Sequence, residues 1–143
     1  MGANNLLVAY DESEGAKRAL RMAADLAEAN PAAHLDIVYV VPVPFLSEEH
    51  AESFKDIIAM MMSDGEDLLA ETVEELGDDV AERSSSLLLM GTNPANEILK
   101  LIDQRDYDMV IVGNRGLSGY KEYTGSVSHK ILHASKIPVL VVK

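Results

Sequence analysis

Between residues 113 and 126 the chain reads Gly113-Asn114-Arg115-Gly116-Leu117-Ser118-Gly119-Tyr120-Lys121-Glu122-Tyr123-Thr124-Gly125-Ser126. Glycine behind a buried strand lets backbone amides turn toward a ligand with no Cβ in the way. Gly125-Ser126 reads as the opening of a helix, whose free N–H groups and positive dipole end form a ready site for phosphate. Ser126 adds a hydroxyl donor, and Val127 the next amide. Arg115 lies between the first two glycines, where it either clamps a phosphate or pairs with a surface carboxylate. The segment is not a Walker A loop, because no Gly-Lys-Ser/Thr stands at the required spacing. Nor is it a dinucleotide fingerprint: Gly113 and Gly116 are three apart, and the glycines follow the fourth strand rather than the first.

A second group of residues stands at the end of the first strand, Ala9-Tyr10-Asp11. Asp11 is read as a ligand residue, since strand ends at the point where strand order reverses face the ligand crevice. Tyr10 either lines a base pocket or caps the sheet. Other constellations fall short. His129 and His133 are four apart on a helix, but no Glu follows His129 as in HExxH and no third ligand is evident. No Gly-x-Ser-x-Gly elbow makes Ser118 or Ser126 a nucleophile. No general base stands beside a positioned water, so catalysis is expected to be absent or limited to slow hydrolysis supported by Asp11 or Glu12.

These residues must be held by strands and helices that alternate along the chain. Leu6 to Ala9 reads as a first strand. Ser13 to Asn30 has helical spacing, with Ala16, Leu20, Ala23, Ala24 and Ala27 on one side, Ser13 as N-cap and Asn30-Pro31 as stop. Leu35 to Val41 is rich in β-branched residues and reads as a buried strand. A long helical stretch follows from Ser47 to about Leu76, with a possible break near Ser63-Asp64-Gly65. Within it, Met60-Met61-Met62 suits irregular core filling or an adaptable binding surface. Further strands are expected at Ser86–Met90, Met109–Val112 and Pro138–Val142, with helices near 95–105 and 126–135. Such alternation implies one α/β domain over residues 1–143, a mostly parallel, doubly wound sheet with helices on both faces.

Composition narrows the function classes. The chain has 143 residues, 48% of them hydrophobic, which is enough for one real core. It has no cysteine, which excludes disulfides, thiol nucleophiles and cysteine-ligated metals. Its net charge of −12 argues against nucleic acid as a partner. The charge is uneven. Glu48 to Arg83 holds 13 acids and two bases, whereas Gly91 to Lys143 holds five acids and seven bases. The acidic stretch is either a solvated helix face or a docking surface for a basic partner. No run approaches a membrane span and the N-terminus lacks the basic region of a secretory signal, so a cytoplasmic location is expected.

The chain also resembles the universal stress protein family along nearly its whole length. The resemblance rests on Val8-Ala9-Tyr10-Asp11-Glu12-Ser13, Val38-Tyr39-Val40-Val41, Gly91 to Leu99, and above all Val110 to Gly119. Gly125-Ser126-Val127-Ser128-His129-Lys130 and Pro138 to Val142 complete it. It implies a five-stranded sheet of order 3-2-1-4-5 and a homodimer through the C-terminal strands. It also implies a stress-response role and, in many members, ATP bound through a Gly-x2-Gly-x9-Gly-Ser/Thr motif. On that pattern Asp11 and the Val40 backbone flank ribose and adenine, while Gly113, Asn114, Arg115, Gly116, Gly125, Ser126 and Val127 hold the phosphates.

The chain departs from the pattern in two places. Eight residues, not nine, separate Gly116 from Gly125. A residue lost from an irregular loop is absorbed by closure, whereas one lost from a helical turn rotates later side chains by about 100°. Glu12 replaces the small residue usual after the aspartate, so binding of a polyphosphate is expected to depend on Mg²⁺ or Mn²⁺. The resulting expectation is a dimeric, ATP-binding sensor or regulator. The rival is an interaction protein that the shortened spacer has left without nucleotide; a slow nucleotide hydrolase comes third.

Overall fold

A computed structural model describes residues 4–44, 47–114 and 121–143, giving the backbone alone for 121–126. Five parallel strands form one sheet: β1 (Asn5–Tyr10), β2 (His34–Pro42), β3 (Ser84–Gly91), β4 (Met109–Gly113) and β5 (Val139–Val142). Their order is β3-β2-β1-β4-β5, as the resemblance implies. Helices α1 (Glu14–Ala29), α2 (Glu48–Glu74), α3 (Asp78–Glu82), α4 (Pro94–Gln104) and α5 (Lys121–Ala134) connect them. Alternation along the strands builds two cores. Leu6, Val8, Leu35 and Ile37 face α1 and α2, where Ala16, Ala19, Ala23 and Ala27 give α1 a face of small side chains, free of bulk against the sheet. Leu7, Val38, Val110 and Val112 face the other way, onto Ile98, Leu101 and Ile102 of α4 and Ile131 of α5.

Three boundaries differ from expectation. Helix α2 runs unbroken through Ser63-Asp64-Gly65. Gly65 sits where a Cβ would come within 2.8 Å of Leu88 Cδ1, so the glycine marks close packing on β3 rather than a break. β3 starts at Ser84, two residues early, and α3 precedes it. α5 starts at Lys121, five residues before Ser126: Lys and Glu are good helix formers, and an internal Gly costs only about 1 kcal/mol.

At the amino end of the sheet, buried Asp36 organises a polar cluster. The Tyr107 hydroxyl donates to Asp36 Oδ2 at 2.6 Å, Arg105 Nη1 lies 3.4 Å from the same oxygen, and His34 Nε2 lies 2.9 Å from Oδ1. Burial first, and then the hydrogen bond to Asp36, push the Tyr107 phenol well above its ordinary range. Tyr107→Phe removes a hydrogen bond to a charged, buried acceptor and is expected to lower stability by about 2 kcal/mol at neutral pH. A phenol held neutral in the fold but free to ionise when unfolded makes stability fall as pH rises above about 10. The loss continues until the folded phenol itself titrates. Urea unfolding at pH 8 and above pH 10 should therefore show a smaller alkaline loss in Tyr107→Phe than in the parent. An equal loss would mean that Tyr107 does not carry this linkage.

Candidate functional site

The chain leaves β1 toward β2 on one side and reaches β4 only much later on the other, so strand order reverses between β1 and β4. Loops and helices diverge there beyond the carboxyl ends and leave a gap. A crevice of about 620 Å³ opens at this point, within the range of small-molecule sites. Its floor is apolar: Ala9, Val38, Val40 and Val112 come from the strands and Ala95 and Ile98 from α4. Its rim is polar, with Asp11 and Ser13 after β1, Thr92 and Asn93 after β3, and Ser128 and Lys130 on α5.

The first turns of α1 and α4 both border the crevice. Ser13 caps α1, its Oγ accepting from Ala16 N at 3.1 Å, and Asn93 caps α4, its Oδ1 accepting from Asn96 N at 3.2 Å. Helix geometry provides the N–H groups of Glu14 and Gly15 with no acceptor inside α1. Two positive dipole ends and Lys130 thus converge on a cavity otherwise lined by apolar side chains, an arrangement suited to the charged end of an amphipathic anion. Opposing charge comes from Asp11 and Glu12. Burial raises the Tyr39 phenol above its ordinary range, and these two carboxylates add to the rise. Asp11 Oδ1 accepts from Ser13 N at 3.0 Å across a tight turn in which Glu12 takes φ +66°, unusual for a residue with a Cβ.

The expected site residues separate into groups. Ala9, Tyr10, Asp11, Val40, Gly113 and Val127 all border the crevice. Tyr10 does so with its side chain committed elsewhere: it is buried in the core under α1 and α2. Asn114 is tied down beside the crevice, its N–H donating to Val142 O at 2.8 Å and its carbonyl accepting from Ser128 Oγ at 3.4 Å. Arg115 and Gly116 lie outside the described residues. Gly125 and Ser126 fall in the second turn of α5 and do not open it; in that position the helix supplies their N–H groups with acceptors four residues earlier. Within α5 the N–H groups without a helical acceptor therefore belong to residues 121–123. Gly113 is required by packing as well: a Cβ there would stand 2.5 Å from Gly15 O and 2.9 Å from Ala16 N.

Sequence reasoning passed over Thr92, Asn93, Ser128 and Lys130. The signal for the last two was present, since Val127, Ser128 and Lys130 lie within one helical turn. Asn93-Pro94 is likewise a plain N-cap followed by an N1 proline. Two other constellations carry no chemistry. Ser85, His34 and Asp36 come together, but Ser85 Oγ at 3.2 Å and Asp36 Oδ1 at 2.9 Å both meet the same ring nitrogen, Nε2. A relay needs one on each nitrogen. His129 and His133 meet edge to face at 4.3 Å. Among the described residues no three His, Asp or Glu side chains gather to hold a metal.

Comparison with known proteins agrees with this architecture. Residues 2–143 match the sequence profile of the universal stress protein family. Universal stress protein YxiE of Bacillus subtilis is 31% identical over 98% of this chain and 99% of its own. The universal stress protein UspA of Lactobacillus plantarum superposes with a TM-score of 0.87 at 19% identity, covering 100% of this chain and 99% of its own. An Arabidopsis thaliana universal stress protein family structure with AMP bound matches at a TM-score of 0.67 and 18% identity, over 98% of this chain and 91% of its own. Universal stress protein structures in complex with cAMP and dAMP match at TM-scores of 0.63 and 0.60.

Proposed function

The chain belongs to the universal stress protein family, and from that premise we propose that it binds an adenine nucleotide in the crevice at the carboxyl ends of β1 and β4. The observation that carries the proposal is the convergence of two helix N-termini and Lys130 on an apolar cavity of nucleotide size. That proteins of this fold hold AMP, dAMP and cAMP supports it. In this reading the base rests on Ala9, Val40 and Ile98, and the ribose approaches the Asp11 oxygen not engaged with Ser13. The phosphates reach the first turn of α1, Val127 and Lys130; Arg115 and Gly116 are phosphate residues on the family motif alone. The nucleotide proposed is ATP. Because Asp11 stands at the rim with Glu12 next to it, and no cluster of three ligands is found among the described residues, Mg²⁺ or Mn²⁺ would arrive on the phosphates. The protein would act by occupancy, as a cytoplasmic stress sensor or regulator. Among the described residues no helix is long and apolar enough to cross a membrane.

The decisive experiment combines mass spectrometry of ligand released from purified protein with calorimetric titration by ATP, ADP and AMP, with and without Mg²⁺ or Mn²⁺. A saturable ATP isotherm that tightens with metal is expected. No released nucleotide and no heat with any of the three would overturn the proposal in favour of an interaction protein.

The same reading includes a homodimer through β5. That strand pairs with β4 on one side, and Val139–Val142 are only half buried. An apolar edge strand offers unpaired backbone groups, and a two-fold axis covers both copies at once. The carbonyls of Pro138 and Val142 accept from β4, so the N–H groups of Val139 and Val141 face the open edge. Val141→Pro deletes an edge N–H and is expected to shift sedimentation from dimer to monomer. An unchanged dimer would place the interface elsewhere.

A further inference from the structure

Helix α2 carries one apolar stripe along its whole length, but the body of the protein covers only half of it. Downstream of Gly65, Leu69 and Thr72 are buried and Leu68, Val73 and Leu76 half buried against the sheet. Upstream, the same three-and-four spacing continues through Met61, Ile57/Ile58 and Phe54. There, Ile58 and Met62 keep partial cover and the rest of the stripe is exposed. Phe54 is 38% exposed, Ile57 52%, Met61 37% and the neighbouring Met60 64%. The geometry explains why. Gly65 packs level with Leu88 and Val41, in the carboxyl halves of β3 and β2, and as the crossover between these parallel strands α2 runs back against them. The 17 preceding residues therefore carry the start of α2 about 25 Å past the level of Gly65 and beyond the last residues of β2 and β3. A solvated helix has no use for a core-type stripe over several turns.

Charge selects the occupant. Glu48, Glu49, Glu52, Asp56 and Asp64 stand against Lys55 alone on this half of the helix, and the whole chain carries −12. A second copy would bring two acidic faces together, and an anionic membrane would be repelled. A cationic amphipathic helix meets both demands, its apolar face entering the stripe and its Lys and Arg residues reaching the flanking carboxylates. Methionine supplies an unbranched, polarizable surface that conforms to different side chains. We propose that the overhanging half of α2 is a docking face for a cationic amphipathic helix of another protein. This does not rest on nucleotide binding, and its test is run without nucleotide.

The probe is a fluorescein-labelled Leu/Lys amphipathic peptide of about 15 residues, about four turns. A scrambled peptide of identical composition is its control. Anisotropy titration should give saturable binding to the parent that weakens with salt. Binding to Phe54→Ser/Ile57→Ser/Met61→Ser should be weaker by about tenfold or more, with an unchanged thermal melt, because the residues replaced are exposed. The scrambled peptide should lose a comparable factor. A second variant, Glu49→Gln/Glu52→Gln/Asp56→Asn, should bind more weakly with a flatter salt dependence. Equal binding of both peptides, or equal binding by parent and serine variant, would reduce the interaction to bulk charge and overturn the proposal. So would a parent that self-associates through this face and becomes monomeric in the serine variant, because the occupant would then be a second copy. If the serine variant fails to fold, an unaltered affinity in the charge variant overturns it instead.

Discussion

Gly113→Ala is expected to destabilise the fold by about 3 kcal/mol or more, from the addition of a single methyl group. The end of β4 lies so near the start of α1 that the new Cβ would meet Gly15 O at 2.5 Å and Ala16 N at 2.9 Å. These neighbours are backbone, and backbone cannot rotate away as the tip of a side chain can. Either α1 lifts from the sheet or β4 shifts. The first exposes the alanine face of α1, and the second disturbs the β4–β5 register that pairs Gly113 with Val142. Both also deform the crevice, because Gly15, Ala16 and Gly113 border it. The measurement is a urea unfolding curve with a titration of nucleotide alongside. A stable variant that binds no nucleotide would limit Gly113 to a ligand role. Unchanged stability and unchanged binding would show that the approach of α1 to β4 is looser than described.

Ala9→Phe is expected to weaken nucleotide binding about a hundredfold, about 2.7 kcal/mol, while leaving the thermal melt nearly unchanged. Ala9 is the last residue of β1 to point its side chain toward the α4 face, since Tyr10 turns to the other core. It is only half buried because the crevice lies above it. A phenyl ring there has free space to occupy, so the core need not rearrange. The space it takes is that proposed for the base. Calorimetry with ATP and metal, on parent and variant, decides the matter. Unaltered affinity would move the base away from Ala9, Val40 and Ile98.

Local pattern made much of this molecule legible. Strands such as Leu6-Leu7-Val8 and Leu35 to Val41 are read from dense apolar and β-branched runs, and α1 from Ser13 and the alanine spacing behind it. These properties are set within a few residues of each other. The resemblance implied the strand order, and with it the reversal between β1 and β4 at which the crevice opens. Propensity was a weaker guide at glycine. Gly65 and Gly125 were read as a break and a helix start, yet both lie inside helices, because backbone freedom permits a turn without requiring one.

From its sequence alone, then, this protein is a parallel α/β chain with a glycine-rich segment behind its fourth strand and an acidic, methionine-bearing helix in its middle. Only the tertiary structure decided which helix ends face the crevice. Ser13, Asn93 and Lys130 are far apart along the chain, and nothing local to any of them announces the others. Crossovers on the two faces of the sheet bring them to one rim. The same holds for α2. Its apolar stripe is visible in the residues, but whether a stripe is core or docking face depends on where the sheet beneath it ends. Here the sheet ends within a few residues of the level of Gly65, and Phe54, Ile57 and Met61 are left exposed.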